Sequence, residues 1–258
     1  MADPIVFSGL TREQAEAIAQ FHRDSGAVAE IVPGGVDTFA VLVTYPASSS
    51  TGSSVSDFAQ NIIAIANREW DFFGDQTLDL AGHTTLRGHK EGEDGWYQRI
   101  GQYWLEGTST HGVDGRDHSM FWSAAFISWV MKTGGAGDRF RYSTMHSVYI
   151  SQSIRDHLQN RAAAGFWGWR LNEIKPKIGD LICWTRKNGI DYDHQNGGDY
   201  PGHSDLVVQV FSDRINVIGG NVGNSVTRRP LALDSSGYLK PRTSDGETII
   251  AIMQNRVG

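Results

Sequence analysis

The stretch Phe121-Trp122-Ser123-Ala124-Ala125-Phe126-Ile127-Ser128-Trp129-Val130-Met131 decides the fold. Read at 3.6 residues per turn it leaves almost no polar face, and a helix apolar all round is buried along its length. Asp117 or Ser119 is placed to cap it, and the run Lys132 to Gly137 ends it with glycine available for a left-handed cap. Ser123 falls in the first turn, where free backbone N–H groups and the helix dipole favour developing negative charge. On this stretch alone the plainer reading of Ser123 is a small residue needed for close packing; the alternative is a nucleophile.

Outward from that helix the chain reads as helices first and strands second. Before it, an amphipathic helix is expected from about Val55 to Phe73, a polar surface loop over Gln76–Asp94, and a helix over Trp96–Leu105. After it, Ser143 can cap a helix running through Gln159. Strands follow over Gly179–Trp184, His203–Phe211, Ile215–Asn221 and Thr248–Met253, the middle two joined as a hairpin across Ser212-Asp213-Arg214. This segregation points to an α+β domain over residues 55–258. Residues 1–45 read as a small αββ accessory unit: a helix from Thr11 to about Asp24, with Ala15, Ile18, Ala19 and His22 on one face, then a hairpin over Ala27–Val32 and Thr38–Tyr45. The Ser-rich run 46–54 reads as a linker.

Composition bounds the function. A formal charge of −6 offers no general attraction to nucleic acid or to an anionic membrane, and no apolar run reaches membrane-span length. The single cysteine, Cys183, excludes an internal disulfide and a cysteine-based zinc site. Met1-Ala2-Asp3-Pro4 lacks the pattern of a secretory signal, so a protein made in the cytoplasm is expected, with any action outside it needing another export route.

Strand parity locates a second polar group. Along His203-Ser204-Asp205-Leu206-Val207-Val208, His203 and Asp205 share a face, and pairing Phe211 with Ile215 puts Asn221 opposite Asp205. A histidine with polar orienters is a general base with its tautomer held; a lone strand histidine is an ordinary hydrogen-bonded core residue. The acidic and histidine clusters at His111, Asp114, Asp117, His118 and at Asp191, Asp193, His194, Asp199 lack a recognised ligand spacing and read as solvated loops. No metal is expected.

Trp122-Ser123-Ala124-Ala125-Phe126-Ile127-Ser128-Trp129 resembles the W-C-A-A-F-V-S-W segment that carries the nucleophile of CHAP and NlpC-type amidases and peptidases. Gly179-Asp180-Leu181-Ile182-Cys183-Trp184, Gly202-His203 and Gly219-Gly220-Asn221 resemble the strand segments of those proteins, in the same order. More closely, the span from about Trp70 to Met253 is similar to a bacterial family of unknown function with serine at the nucleophile position. The resemblance implies a papain-like fold, a nucleophile helix on an antiparallel sheet, and a peptidoglycan amidase or endopeptidase without a cofactor. It implies Ser123 as nucleophile, His203 as base, and Asn221 or Asp205 as the orienter. Trp122, His146, Trp167 and Trp169 are candidates to line the substrate groove, with packing the rival role for His146. A cell-wall peptide is the implied partner, and an exported antibacterial effector or a lysin the implied setting, with an immunity protein or a secretion-system component as further partners. The departure is serine for cysteine: a hydroxyl does not ionise near neutral pH and needs its base during attack. A working Ser–His hydrolase therefore stands beside an inactive module that binds glycan or peptide.

Overall fold

The structure, a computed structural model, describes residues 5–12, 15–16, 19–20, 23, 28–35, 37–44, 55–244 and 246–258. The chain divides into two compact units, Met1–Ser54 and Val55–Gly258. In the first, strands β1 (Ile5–Leu10), β2 (Val28–Gly35) and β3 (Thr38–Thr44) form an antiparallel sheet in the order β1-β3-β2. Arg12, Ala15, Glu16, Ala19, Gln20 and Arg23 lie in a helix, and buried Ala15 and Ala19 meet Ala29 and Val41. The unit is therefore βαββ rather than αββ, because Ile5–Leu10 finds a hydrogen-bonding edge along β3. Ile18, His22 and the Ser-rich run 46–54 lie outside the described residues.

The larger unit is α+β, with four α-helices among the described residues and a large mixed sheet. Helix α1 (Asp57–Phe72) is capped by Ser56, whose Oγ accepts the Ala59 N–H at 3.3 Å, and it buries Phe58, Ile62, Ile65 and Trp70. The stretch expected as surface loop instead contains a short hairpin, β4 (Thr77–Leu78) and β5 (Thr84–Leu86). Gln76 is buried there because its side-chain amide donates to Val222 O at 2.9 Å and Thr227 Oγ1 at 2.7 Å. Helix α2 (Trp96–Gln102) continues as a wider π-turn through Gly107. Gly107 must be glycine for close packing: a Cβ there would sit 2.7 Å from Ala125 O and 2.8 Å from Trp129 N.

Helix α3 (Ser123–Thr133) is formed by the all-apolar stretch, and Ser123 to Met131 are all buried. Its N-cap is Trp122 rather than Asp117 or Ser119. The Asp117 carboxylate accepts the Asp114 N–H at 2.7 Å, closing the preceding loop instead. The left-handed residue after the helix is Gly135, at φ +92°. Helix α4 (His146–Leu158) starts three residues later than Ser143, whose Oγ accepts the Met145 N–H at 3.0 Å.

The sheet adds β6 (Phe166–Trp169), β7 (Leu181–Thr185), β8 (Gly202–Val210), β9 (Arg214–Gly219), β10 (Thr227–Ala232), β11 (Thr243–Ser244) and β12 (Glu247–Asn255). Its order is β11-β12-β7-β8-β9-β10-β4-β5, with β6 also on β12. It is mixed rather than antiparallel throughout, since β10 and β4 run parallel. Strand β6 uses Trp167 and Trp169 as ladder residues, and β10 was invisible to alternation because Arg228 and Arg229 lie buried within it.

Candidate active site

Three elements bring the polar core together: the N-termini of α3 and α4 and the start of β8. Ser123 is the first residue of α3 and His146 the first of α4. Ser128, one turn further along α3, fixes the approach: its Oγ donates to Ser143 O at 3.0 Å and accepts the Ser143 N–H at 3.1 Å. That pair ties the turn before α4 to α3, and the Ser123 Oγ–His146 Nε2 distance is 2.7 Å. His146 Nδ1 in turn meets the Tyr149 hydroxyl in a short hydrogen bond, one helical turn away. Ser123 is 3% exposed and His146 4%. Met120, Phe121 (67% exposed) and Met145 (40% exposed) form the apolar residues immediately before the two helices.

Electrostatics keep His146 neutral. Burial, then the neighbouring His203 and Arg186, hold its pKa well below the ordinary histidine value, while Asp205 acts in the opposite sense. Two helix N-termini facing the pair add to the cost of imidazolium and to the favour shown to an oxyanion.

A second histidine lies beside the first, with ring centroids 5.2 Å apart. His203 is fully buried and its Nε2 pairs with Asp205 Oδ1 at 3.0 Å, leaving its buried Nδ1 without a hydrogen-bond partner among the described residues. Asp205 Oδ2 accepts from Trp184 Nε1 at 2.9 Å and from Arg229 at 2.8 Å. Burial opposes the Asp205 charge, but Arg229 and His203 outweigh it and hold the carboxyl well below the usual carboxylate range. Gly219 makes the space: a Cβ there would sit 2.1 Å from Asp205 Oδ1 and 2.9 Å from His203 Nε2.

The resemblance implied His203 as the base for Ser123, with Asn221 or Asp205 orienting the imidazole. The side chain in contact with Ser123 Oγ is that of His146, and the partner of His203 is Asp205, two residues on along the same strand. Asn221 is displaced by register. The observed pairs are Val210 with Ile215 and Leu206 with Ile218, with an irregularity between Val207 and Gln209, so Gly219 rather than Asn221 comes opposite Asp205. Asn221 instead occupies the left-handed region at φ 59°, in a turn anchored by Gln76 Nε2 on Val222 O and by the Glu91 N–H on Asn224 O at 2.9 Å.

Trp122, expected in the groove, is buried; its ring stacks on Phe73 and its Nε1 donates to Glu91 Oε2 at 2.8 Å. Trp167 and Trp169 do not join this cluster: Trp167 Nε1 donates to Arg161 O and Trp169 Nε1 to Gln254, both at 3.0 Å. Asp114 pairs with Arg116, and Asp191 with His194. Among the described residues no three His, Cys, Asp or Glu side chains converge as metal ligands, and no helix is long and apolar enough to cross a membrane. His146 was missed as a partner of Ser123 because helical periodicity shows only which residues share its face. The available signal was Tyr149 at i+3, a hydroxyl on the same buried face.

Fold and site together define an α+β protein with a buried Ser–His pair at two helix N-termini and a His–carboxylate pair beside it. The chain belongs to the DUF2272 family, described as an uncharacterized protein conserved in bacteria, which matches residues 91–251 and so takes in Ser123, His146, His203 and Asp205. No curated protein and no solved structure matches the chain.

Proposed function

We propose that this protein is a serine-dependent amide hydrolase acting on cell-wall peptide, with Ser123 as nucleophile and His146 as its base. The observation that carries the reading is the 2.7 Å contact between Ser123 Oγ and His146 Nε2. In the reaction, Ser123 Oγ bonds to the scissile carbonyl carbon as its proton passes to His146 Nε2. The oxyanion that forms lies at the start of α3, where first-turn N–H groups stabilise it. Collapse breaks the C–N bond and His146 returns the proton to the leaving amine. Water then attacks the Ser123 ester carbonyl, giving its proton to His146; collapse breaks the bond to Ser123 Oγ, His146 returns the proton to that oxygen, and the acid is released. Each proton that His146 accepts forms an imidazolium in a buried site, and the Asp205 carboxylate is the neighbour that favours it.

Peptidoglycan as substrate rests on the resemblance of the Trp122–Val130, Gly179–Trp184 and Gly202–His203 segments to CHAP and NlpC-type amidases and peptidases, with their papain-like fold. In this reading the protein reaches the wall by specialised export, as an antibacterial effector with a cognate immunity protein or as a lysin. Residues 1–54 then form a docking unit. Purified protein incubated with sacculi should release soluble muropeptides, whose masses name the bond cut. Ser123→Ala should abolish release; full activity in that variant removes Ser123 as nucleophile. Ser123→Cys should keep or gain activity and become sensitive to alkylation. A second reading, a module that binds cell-wall peptide without cutting it, draws on the near-complete burial of Ser123 and His146. It predicts sacculus binding with no release.

A further inference from the structure

A cleft of about 420 Å³ lies between residues 138–142, the middle of α4 and residues 163–166. That is the size of a small-molecule site. Close backbone contact fixes its two rims against each other. A Cβ on Gly165 would sit 2.2 Å from Arg139 O, Arg139 Nη2 donates to Arg256 O at 2.7 Å, and the Arg256 N–H donates to Gly165 O at 2.8 Å. Phe140, buried, packs its ring against Tyr149 at 4.9 Å and Phe166 at 5.4 Å, so the cleft has an aromatic floor. Tyr149 also meets His146 Nδ1 through its hydroxyl, and one side chain therefore separates the cleft from the Ser123–His146 pair. We infer that this cleft binds a short zwitterionic peptide, the class of product that an amide hydrolase acting on peptide releases.

Charge selects that class. Two arginines and two aspartates line the cleft, a balance that favours a neutral ligand carrying both signs over a simple anion or cation. Asp156 is buried, and its Oδ1 accepts from Gln152 Nε2 at 2.7 Å and from Arg161 Nη1 at 3.1 Å. Its Oδ2 accepts no hydrogen bond among the described residues, which leaves an acceptor for an ammonium group. Arg141 is exposed and makes no hydrogen bond or ion pair among the described residues, so its guanidinium fork is open to a carboxylate. Asp138, likewise without an ion pair or hydrogen bond among the described residues, is exposed on the same segment and disfavours a second carboxylate there. Between the charged ends the aromatic floor takes an apolar side chain. Hydrolysis of a peptide bond frees one ammonium and one carboxylate, the two groups for which Asp156 and Arg141 are open.

That the occupant is a product rests on the hydrolase reading; the binding does not, and its test is kept apart from cleavage. Alanyl-leucine, with two free termini and an apolar side chain, is titrated into 15N-labelled Ser123→Ala protein and followed by amide chemical shifts. Saturable shifts are expected in residues 138–142 and 163–166, with a Kd on the order of 1 mM for a ligand so small. N-acetylation or C-terminal amidation of the dipeptide should each weaken binding about 5-fold. Arg141→Met should weaken the free dipeptide by a similar factor and leave the C-terminal amide unaffected. Asp156→Asn should do the same for the amino end, leaving the N-acetyl form unaffected. Ala164→Leu, which fills the cleft and touches no charge, should abolish the shifts. No saturable shift up to about 20 mM, or a doubly capped dipeptide that binds as tightly as the free one, overturns the inference. So does an Arg141→Met protein that binds every form as the parent does. Binding without muropeptide release from sacculi by the parent upholds the cleft and defeats only the hydrolase reading. Release without binding does the reverse.

Discussion

Gly219→Ala tests the packing that holds the His203–Asp205 pair. The added methyl would lie 2.1 Å from Asp205 Oδ1 and 2.9 Å from His203 Nε2. The first contact is more than an ångström too close, so either β9 shifts or the carboxylate turns away. Turning breaks the 3.0 Å contact to His203 and strains the Oδ2 bonds to Trp184 and Arg229. Losing one hydrogen bond to a charged group costs about 1.5–3 kcal/mol. Overpacking adds about 1–3 kcal/mol, so roughly 3–5 kcal/mol is expected when the two are combined. For a unit of this size that lowers the melting midpoint by about 6–20 °C. Denaturant titration with parent-like m-values gives the number directly. Gly220→Ala is the control: its Cβ would meet Phe126 at 2.7 Å and Trp122 at 2.8 Å, overpacking with no charge involved. The pH dependence separates the two. The depressed Asp205 pKa contributes stability that is present above about pH 4 and lost as pH falls through the folded value. Gly219→Ala weakens that depression, so its deficit should shrink on acidification, whereas that of Gly220→Ala should not. A Gly219→Ala protein within about 0.5 kcal/mol of the parent would refute the packing argument.

Other outcomes follow from the same contacts. Because burial holds His146 well below the ordinary histidine pKa, the acid limb of muropeptide release should lie below about pH 6.5; a limb at or above that value contradicts a buried neutral base. The same depression makes the unfolded chain take up the proton first. The His146 contribution to stability is therefore complete above about pH 6.5 and declines as pH drops below it, to a degree that His146→Gln should reduce. Glu91→Ala leaves the buried Trp122 indole N–H without its 2.8 Å acceptor and should cost about 1–3 kcal/mol by denaturant titration, with Glu91→Gln losing clearly less. Residues 55–258 have their own core, so the chain lacking residues 1–54 should unfold in one cooperative transition by scanning calorimetry; a broad, non-cooperative melt would show that the boundary is misplaced.

The sequence alone determined the local matters. An all-apolar run had to be a buried helix, and it put Ser123 in the first turn of α3. Alternation put His203 and Asp205 on one face of β8, two residues apart, and no rearrangement short of a bulge between them alters that. The main strands around them, β7, β8, β9 and β12, were legible for the same reason. Strand β10 was not, since its buried arginines hide its alternation: Arg229 answers the Asp205 charge and Arg228 lies over Trp70, and both partners are distant in sequence. Which histidine meets Ser123 was likewise a tertiary decision. It depends on the Ser128–Ser143 bonds that dock the start of α4 on α3, and on a turn that pairs Val210 with Ile215 and a strand irregularity beyond it, which together put Gly219 rather than Asn221 opposite Asp205. Periodicity fixes the face on which a side chain lies. The neighbour across that face is set by helix docking and strand register, and a slip of one or two residues in either replaces one polar partner by another.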